Sequence, residues 1–130
     1  MRNDIKNHLT VEQSLAPASR TAAVDGTGVD LAGFDAAMVV IDAGASGGTT
    51  PSFTFEVEDS DDDSTYAAVA AADLDGTEPV ITGANDEAVY TLGYHGIKRY
   101  LRVAITAVSG TSPTLLCSAS VVRGKGRVKP

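Results

Sequence analysis

The sequence predicts an all-β domain: an antiparallel β-sandwich, jelly-roll-like with an immunoglobulin-like arrangement as the alternative, carrying extended N- and C-terminal arms. Three observations predict it. Apolar and polar residues alternate with a period of two in successive segments, whereas helical spacing is hard to find. Clusters of Gly, Ser and Asp punctuate those segments at near-regular intervals, as turns of a sandwich or barrel do. The 130 residues suffice for one core, and with 5% aromatic residues and no Trp that core must be aliphatic, with Phe34, Phe53 and Phe55 as its large pieces.

Taken in order, residues 1–17 are polar and weakly patterned and read as an extended arm preceding a sandwich domain over 18–122. Ala36 to Asp42 is a β-branched apolar run closed by Ala-Gly-Ala-Ser-Gly-Gly. Ser52 to Glu58 alternates cleanly, with Phe53, Phe55 and Val57 on one face and Thr54, Glu56 and Glu58 on the other. Thr65 to Val69 reads as a returning strand, although the Ala-rich run from Tyr66 to Leu74 also favours a short helix. Asp73 to Gly76 is a turn and Pro79 to Thr82 a short strand. Ala88 to Tyr94, Tyr100 to Val108 and Thr114 to Val122 complete the set, the last two pointing Leu101, Val103, Ile105, Leu115, Cys117, Ala119 and Val121 inward.

Charge is unevenly placed. Net charge is −7, and between Thr21 and Ile97 fifteen acidic residues occur without a single Lys or Arg. Such a body repels phosphates, so nucleic acid is not an expected partner. Residues 123–130 form a basic tail with Arg123, Lys125, Arg127 and Lys129, suited to an acidic protein surface or to staying mobile. No apolar run approaches the roughly 20 residues of a membrane helix, and the start lacks a stretch of signal-peptide length, so no membrane role is expected. Cys117 is the only cysteine and cannot form an intrachain disulfide.

Candidate chemistry is sparse. Asp59, Asp61 and Asp63 match the first three ligand positions of a calcium loop, but the sixth position is Ser64 and the twelfth Ala70, so the stretch reads as a hairpin turn bonding its own backbone. Gly44, Gly47 and Gly48 follow a strand but lack the Gly-Lys-Ser/Thr ending of a phosphate loop. His8 lies in the leader, His95 in a turn and Cys117 at an inward strand position, so no nucleophile has a base beside it. No enzyme, cofactor or metal is expected. One basic segment breaks the acidic run: Lys98, Arg99 and Arg102, with Tyr100 and Arg102 on the strand face opposite Leu101 and Val103. These residues read equally as an interface anchor or as partners that neutralise the acidic turns.

The order of motifs is similar to small structural proteins of tailed bacteriophages. It runs through Val29 to Ala36 (VDLAGFDA), Glu58 to Tyr66 (EDSDDDSTY), Val69 to Gly76 (VAAADLDG), Gly93 to Val103 (GYHGIKRYLRV) and Val121 to Gly124 (VVRG). One departure is Asp63, where the resemblance implies Gly or Asn. The resemblance implies a capsid decoration, or cement, protein, made in the bacterial cytoplasm and placed on the outer surface of the head. There it would bridge subunits of the major capsid protein as a homodimer or trimer. The arms, with Arg2, Lys6, Arg123, Lys125, Arg127 and Lys129, and the Lys98, Arg99, Tyr100, Arg102 segment are the expected contacts. On that reading, deletion of 123–130 weakens capsid binding and leaves the melting temperature unchanged. The rival reading is a tail or baseplate module binding a receptor or glycan, which needs an aromatic platform that only Tyr66, Tyr90, Tyr94 and Tyr100 can supply.

Overall fold

Alternation dictates the architecture. A strand that buries every second residue needs something to cover that face, and with no α-helix in the described residues the cover must be another part of the sheet. The structure, a computed structural model, describes residues 1–126. It contains β1 (Leu9–Arg20), β2 (Val24–Asp25), β3 (Val29–Asp30), β4 (Phe34–Ser60), β5 (Ala67–Ala68), β6 (Leu74–Asp75), β7 (Val80–Thr82), β8 (Ala88–Tyr94) and β9 (Tyr100–Gly126). Every pairing is antiparallel, and the strand order is β1-β9-β4-β8-β6, with β2 and β3 on β9 and β5 and β7 on β4.

The two long strands, of 27 residues each, organise everything else. They pair along their length, but the register shifts repeatedly between Ala43 and Phe55, and each shift bends the ribbon. Here Gly48 takes φ 92° and Gly110 φ 113°, a region side chains rarely enter. The backbones also approach so closely that a Cβ on Gly48 would lie 2.4 Å from the Ser112 carbonyl oxygen. The ribbon thus folds over on itself. Residues 36–43 of β4 and 115–124 of β9 lie in one layer with β1, β8 and β6. Residues 52–60 of β4 and 100–108 of β9 lie in the other with β2, β3, β5 and β7.

Inward side chains of both layers form one buried cluster: Val39, Ile41, Leu115 and Val121 from the first, Phe53, Phe55, Val57, Leu101 and Val103 from the second. Direct bonds join the layers at their margins. Ser14 of β1, buried by its bulge, accepts from the Val103 N–H (2.9 Å) and donates to the Thr27 carbonyl (2.9 Å). On the opposite margin the Tyr94 hydroxyl donates to Asp59 (2.8 Å).

The sandwich expected from sequence is the fold observed, but its extent is larger. Of the arm expected over 1–17, Leu9 onward is β1; only residues 1–8 precede the sheet, with a 3-10 turn at Lys6–His8. The bulges at Gln13/Leu15 and Leu15/Ala18 set Ser14 and Leu15 side by side in the interior and erase the period of two. The tail expected from Arg123 likewise begins as strand, since β9 continues to Gly126. The Ala-rich stretch gives two-residue β5 and a 3-10 turn at Ala71–Asp73. The turn expected at Asp73 to Gly76 holds β6, and the short strands β2 and β3 were not expected.

Candidate functional site

The fold gathers most of its charge, of both signs, at one end of its long axis. At the bend lie the uncharged glycine-rich segments and Asp86, whose carboxylate takes both the amide and the hydroxyl of Ser46 (2.7 Å each) and is thereby held below its usual range. The opposite, open end gathers the start of β9, the end of β4 and the residues before Leu9, because Leu9 pairs with Gly124 and Ser60 with Tyr100. Among the described residues, Arg2, Lys6, Lys98, Arg99, Arg102, Arg123 and Lys125 lie at or lead into this end, while Arg20 sits at the far end of β1 against Leu115.

Most of these cations are engaged within the molecule. Arg99 donates through Nε and Nη2 to both oxygens of Asp30 (3.0 and 2.8 Å), and this pairing holds the Asp30 carboxyl down at about 2. Lys98 bonds Asp61 (2.8 Å), which keeps its ammonium above the usual lysine range. Arg102 is half-buried between Glu58 (2.7 Å), Asp25 (3.7 Å) and the face of Tyr66, whose ring centroid is 3.9 Å away. Tyr100 lies beneath Arg99, 5.1 Å from its guanidinium. The neutralising role therefore describes Lys98, Arg99 and Arg102 in the isolated chain better than a ready-made anchor does.

Arg123 is the least tail-like of them. Its guanidinium donates to Thr10 Oγ1 (3.0 Å), the Asp30 carbonyl (2.8 Å) and Glu12 (2.9 Å) and lies 4.7 Å over the Phe34 ring. One side chain thus ties β1, β3 and the start of β4 together at the open end. Arg2, Lys6 and Lys125 are exposed and make no ion pair among the described residues. Arg127 and Lys129 lie outside the described residues.

The acidic stretch builds a turn, and each carboxylate has its own partner. Ser60 Oγ accepts from the amides of Asp62 and Asp63 (3.1 Å each), while Asp62 accepts from those of Ser64 and Thr65 (3.0 Å each). The Thr65 and Ser64 amides hold the Asp62 carboxyl below its usual range. Asp59 serves Tyr94, Asp61 serves Lys98 and Asp63 accepts from the Tyr66 hydroxyl. Asp63 has φ 59°, which explains why the motif it departs from favours Gly or Asn there.

Sequence reasoning missed the cavity at this end. About 450 Å³ opens between residues 31–37 and 94–99; its walls include Phe34, Ile97, Asp35, Lys98 and Arg99, but no His, Cys or Ser. It also missed a carboxyl pair on the outer face of the second layer. Glu56 hydrogen-bonds Glu58 and is pushed up to about 7, with burial and Glu78 adding to the effect. Adjacent like charges at Glu56 and Glu58 on an alternating strand were the available signal. None of the four tyrosines forms an open platform: Tyr66 covers Arg102, Tyr94 is buried, Tyr90 donates to the Asn85 carbonyl (2.5 Å) and Tyr100 underlies Arg99. Comparison of the chain with protein-family models and with curated proteins gives no match.

Proposed function

We propose that this chain is a non-enzymatic structural protein of a tailed-phage particle, a decoration protein that binds the outer surface of the head across joints between major capsid protein subunits. The motif order described above supports the phage assignment. The exposed cations at the open end support the mode of attachment. At the open end most cations are matched by carboxylates of the chain itself, but Arg2, Lys6 and Lys125 are exposed, make no ion pair among the described residues and are free to contact carboxylates of a partner surface. Those three exposed cations at one end are the observation carrying the docking part of the proposal. Each contact is weak and salt-sensitive, so occupancy depends on many copies on one lattice.

Electron microscopy of purified virions with gold-labelled antibody against the chain tests it. Gold over the head supports the proposal; gold confined to the tail transfers the chain to the receptor-binding class, and unlabelled virions overturn both.

A further inference from the structure

A sheet face turned to water ordinarily carries charge. The outer face of the second layer does so, with Glu56 and Glu58 beside Arg102. The outer face of the first layer is mostly apolar. Strand register sets Val11, Val122 and Met38 in one row across β1, β9 and β4. Ser120 and Val40 occupy the next, and Asp42 and Val89 fall in the third. The face carries two carboxylates, Asp42 in the third row and, at its β6 edge, Asp75, which pairs with Gly93 in the row of Met38. Val11 is 63% exposed, Val89 60% and Leu116 52%, a share of open aliphatic surface that nothing else in the molecule matches across one face. Beside the third row, the bulge in β1 opens a hollow of about 370 Å³ between Pro17, Ala18, Gly44 and Leu116, with Asp42 on its wall.

We propose that this face binds a second copy of the same chain, sheet against sheet, about a two-fold axis lying between the copies and crossing the strands over Val40 and Ser120. Three features point to self-association. Across this axis Asp42 meets Met38 and not the partner's Asp42, and Asp75 lies at the β6 edge, so the face meets its own copy without opposing like charges, whereas most other surfaces would set acid against acid. Shape is self-complementary: rotation about that axis places Val11 of one copy over the hollow of the other. Area is adequate for a weak dimer. Four strands spaced ~4.8 Å apart and seven residues at ~3.3 Å each project ~400 Å² per copy, so the pair covers ~800 Å², at the low end of the weak, transient class. The same rotation sets Met38 against the partner's Asp42, so the carboxylate opposes association.

Sedimentation of the full chain across the micromolar range tests this. The expected result is a concentration-dependent rise from 13.3 kDa towards twice that mass. Val11→Lys and Ser120→Lys abolish the rise while circular dichroism stays that of the wild type. Asp42→Asn strengthens association several-fold, and Val80→Lys, on the outer face of the other layer, leaves it unchanged. A wild-type chain that remains monomeric throughout overturns the proposal, even if the face captures some other protein. So does a dimer indifferent to both Val11→Lys and Ser120→Lys.

Discussion

Removing the Arg123 guanidinium should loosen the open end of the sandwich, and the size of the effect follows from its partners. Arg123→Ala deletes a charge-assisted bond to the Asp30 carbonyl, one to Thr10 Oγ1 and a half-exposed ion pair with Glu12. Bonds to charged groups contribute roughly 1.5–3 kcal/mol and an exposed ion pair well under 1. Some of that loss is recovered as water reaches Asp30, leaving a net cost of about 2–3 kcal/mol. For a domain of this length the unfolding entropy makes 1 kcal/mol equivalent to about 4 °C, so melting should fall by about 8–12 °C. Deletion of 123–130, which removes the side chain and the strand pairs of Gly124 and Gly126 as well, should cost at least as much. Arg123→Lys keeps the charge but not the forked reach, and should fall between the intact chain and Arg123→Ala. Thermal denaturation followed by circular dichroism measures all three. If the deletion variant melts within about 1 °C of the intact chain, β9 does not extend through this end as described.

Other perturbations have equally defined outcomes. Phe53→Ala, at a fully buried site in the second layer, should cost about 3–5 kcal/mol and lower the melting temperature by about 12–20 °C, measured in the same way. Gly48→Ala forces a Cβ towards the Ser112 carbonyl at a left-handed position; it should lower the denaturant midpoint by more than the same change at open Gly33, whose Cβ would meet nothing. Glu56 titrates near 7 in the fold against about 4.3 unfolded, so its contribution is complete below the lower value and is lost as pH rises towards 7. Urea unfolding of Glu56→Gln should therefore show a flatter stability profile between those limits and a more stable protein at pH 8; an unchanged slope would remove the carboxyl pair from the account.

The core was legible because it obeys alternation. Phe53, Phe55 and Val57, and Leu101, Val103 and Ile105, could be assigned inward from spacing alone, and β8 has the bounds its pattern implies. What escaped was whatever the period of two does not govern. β1 is an edge strand with two adjacent inward residues, so its pattern resembles a polar leader. The bend reads as a loop because its small residues and glycines are those of loops, yet there they bend strands that never stop pairing. The network joining Arg123, Thr10, Asp30 and Phe34 links positions from across the chain, and no local composition announces it. The acidic turn was readable because its bonds are local, from Ser60 to Thr65.

The sharing of β4 and β9 by both layers has a consequence for how the chain reaches its native state. No half of this molecule is a separate folding unit, since each layer borrows its centre from the same two segments. β9 is the hub for β1, β2, β3 and β4, and it is made after all of them. On the ribosome, the earlier strands must wait without their main partner until residue 126 has emerged. Completing the ribbon then requires loops of long sequence separation to close, which places folding in the slow, millisecond-to-second class of β proteins. During that interval the Phe53–Val57 segment, which β7 can pair on one edge, keeps its β9 edge and its apolar face open, and it is there that chaperone binding or aggregation in the nascent chain should be sought.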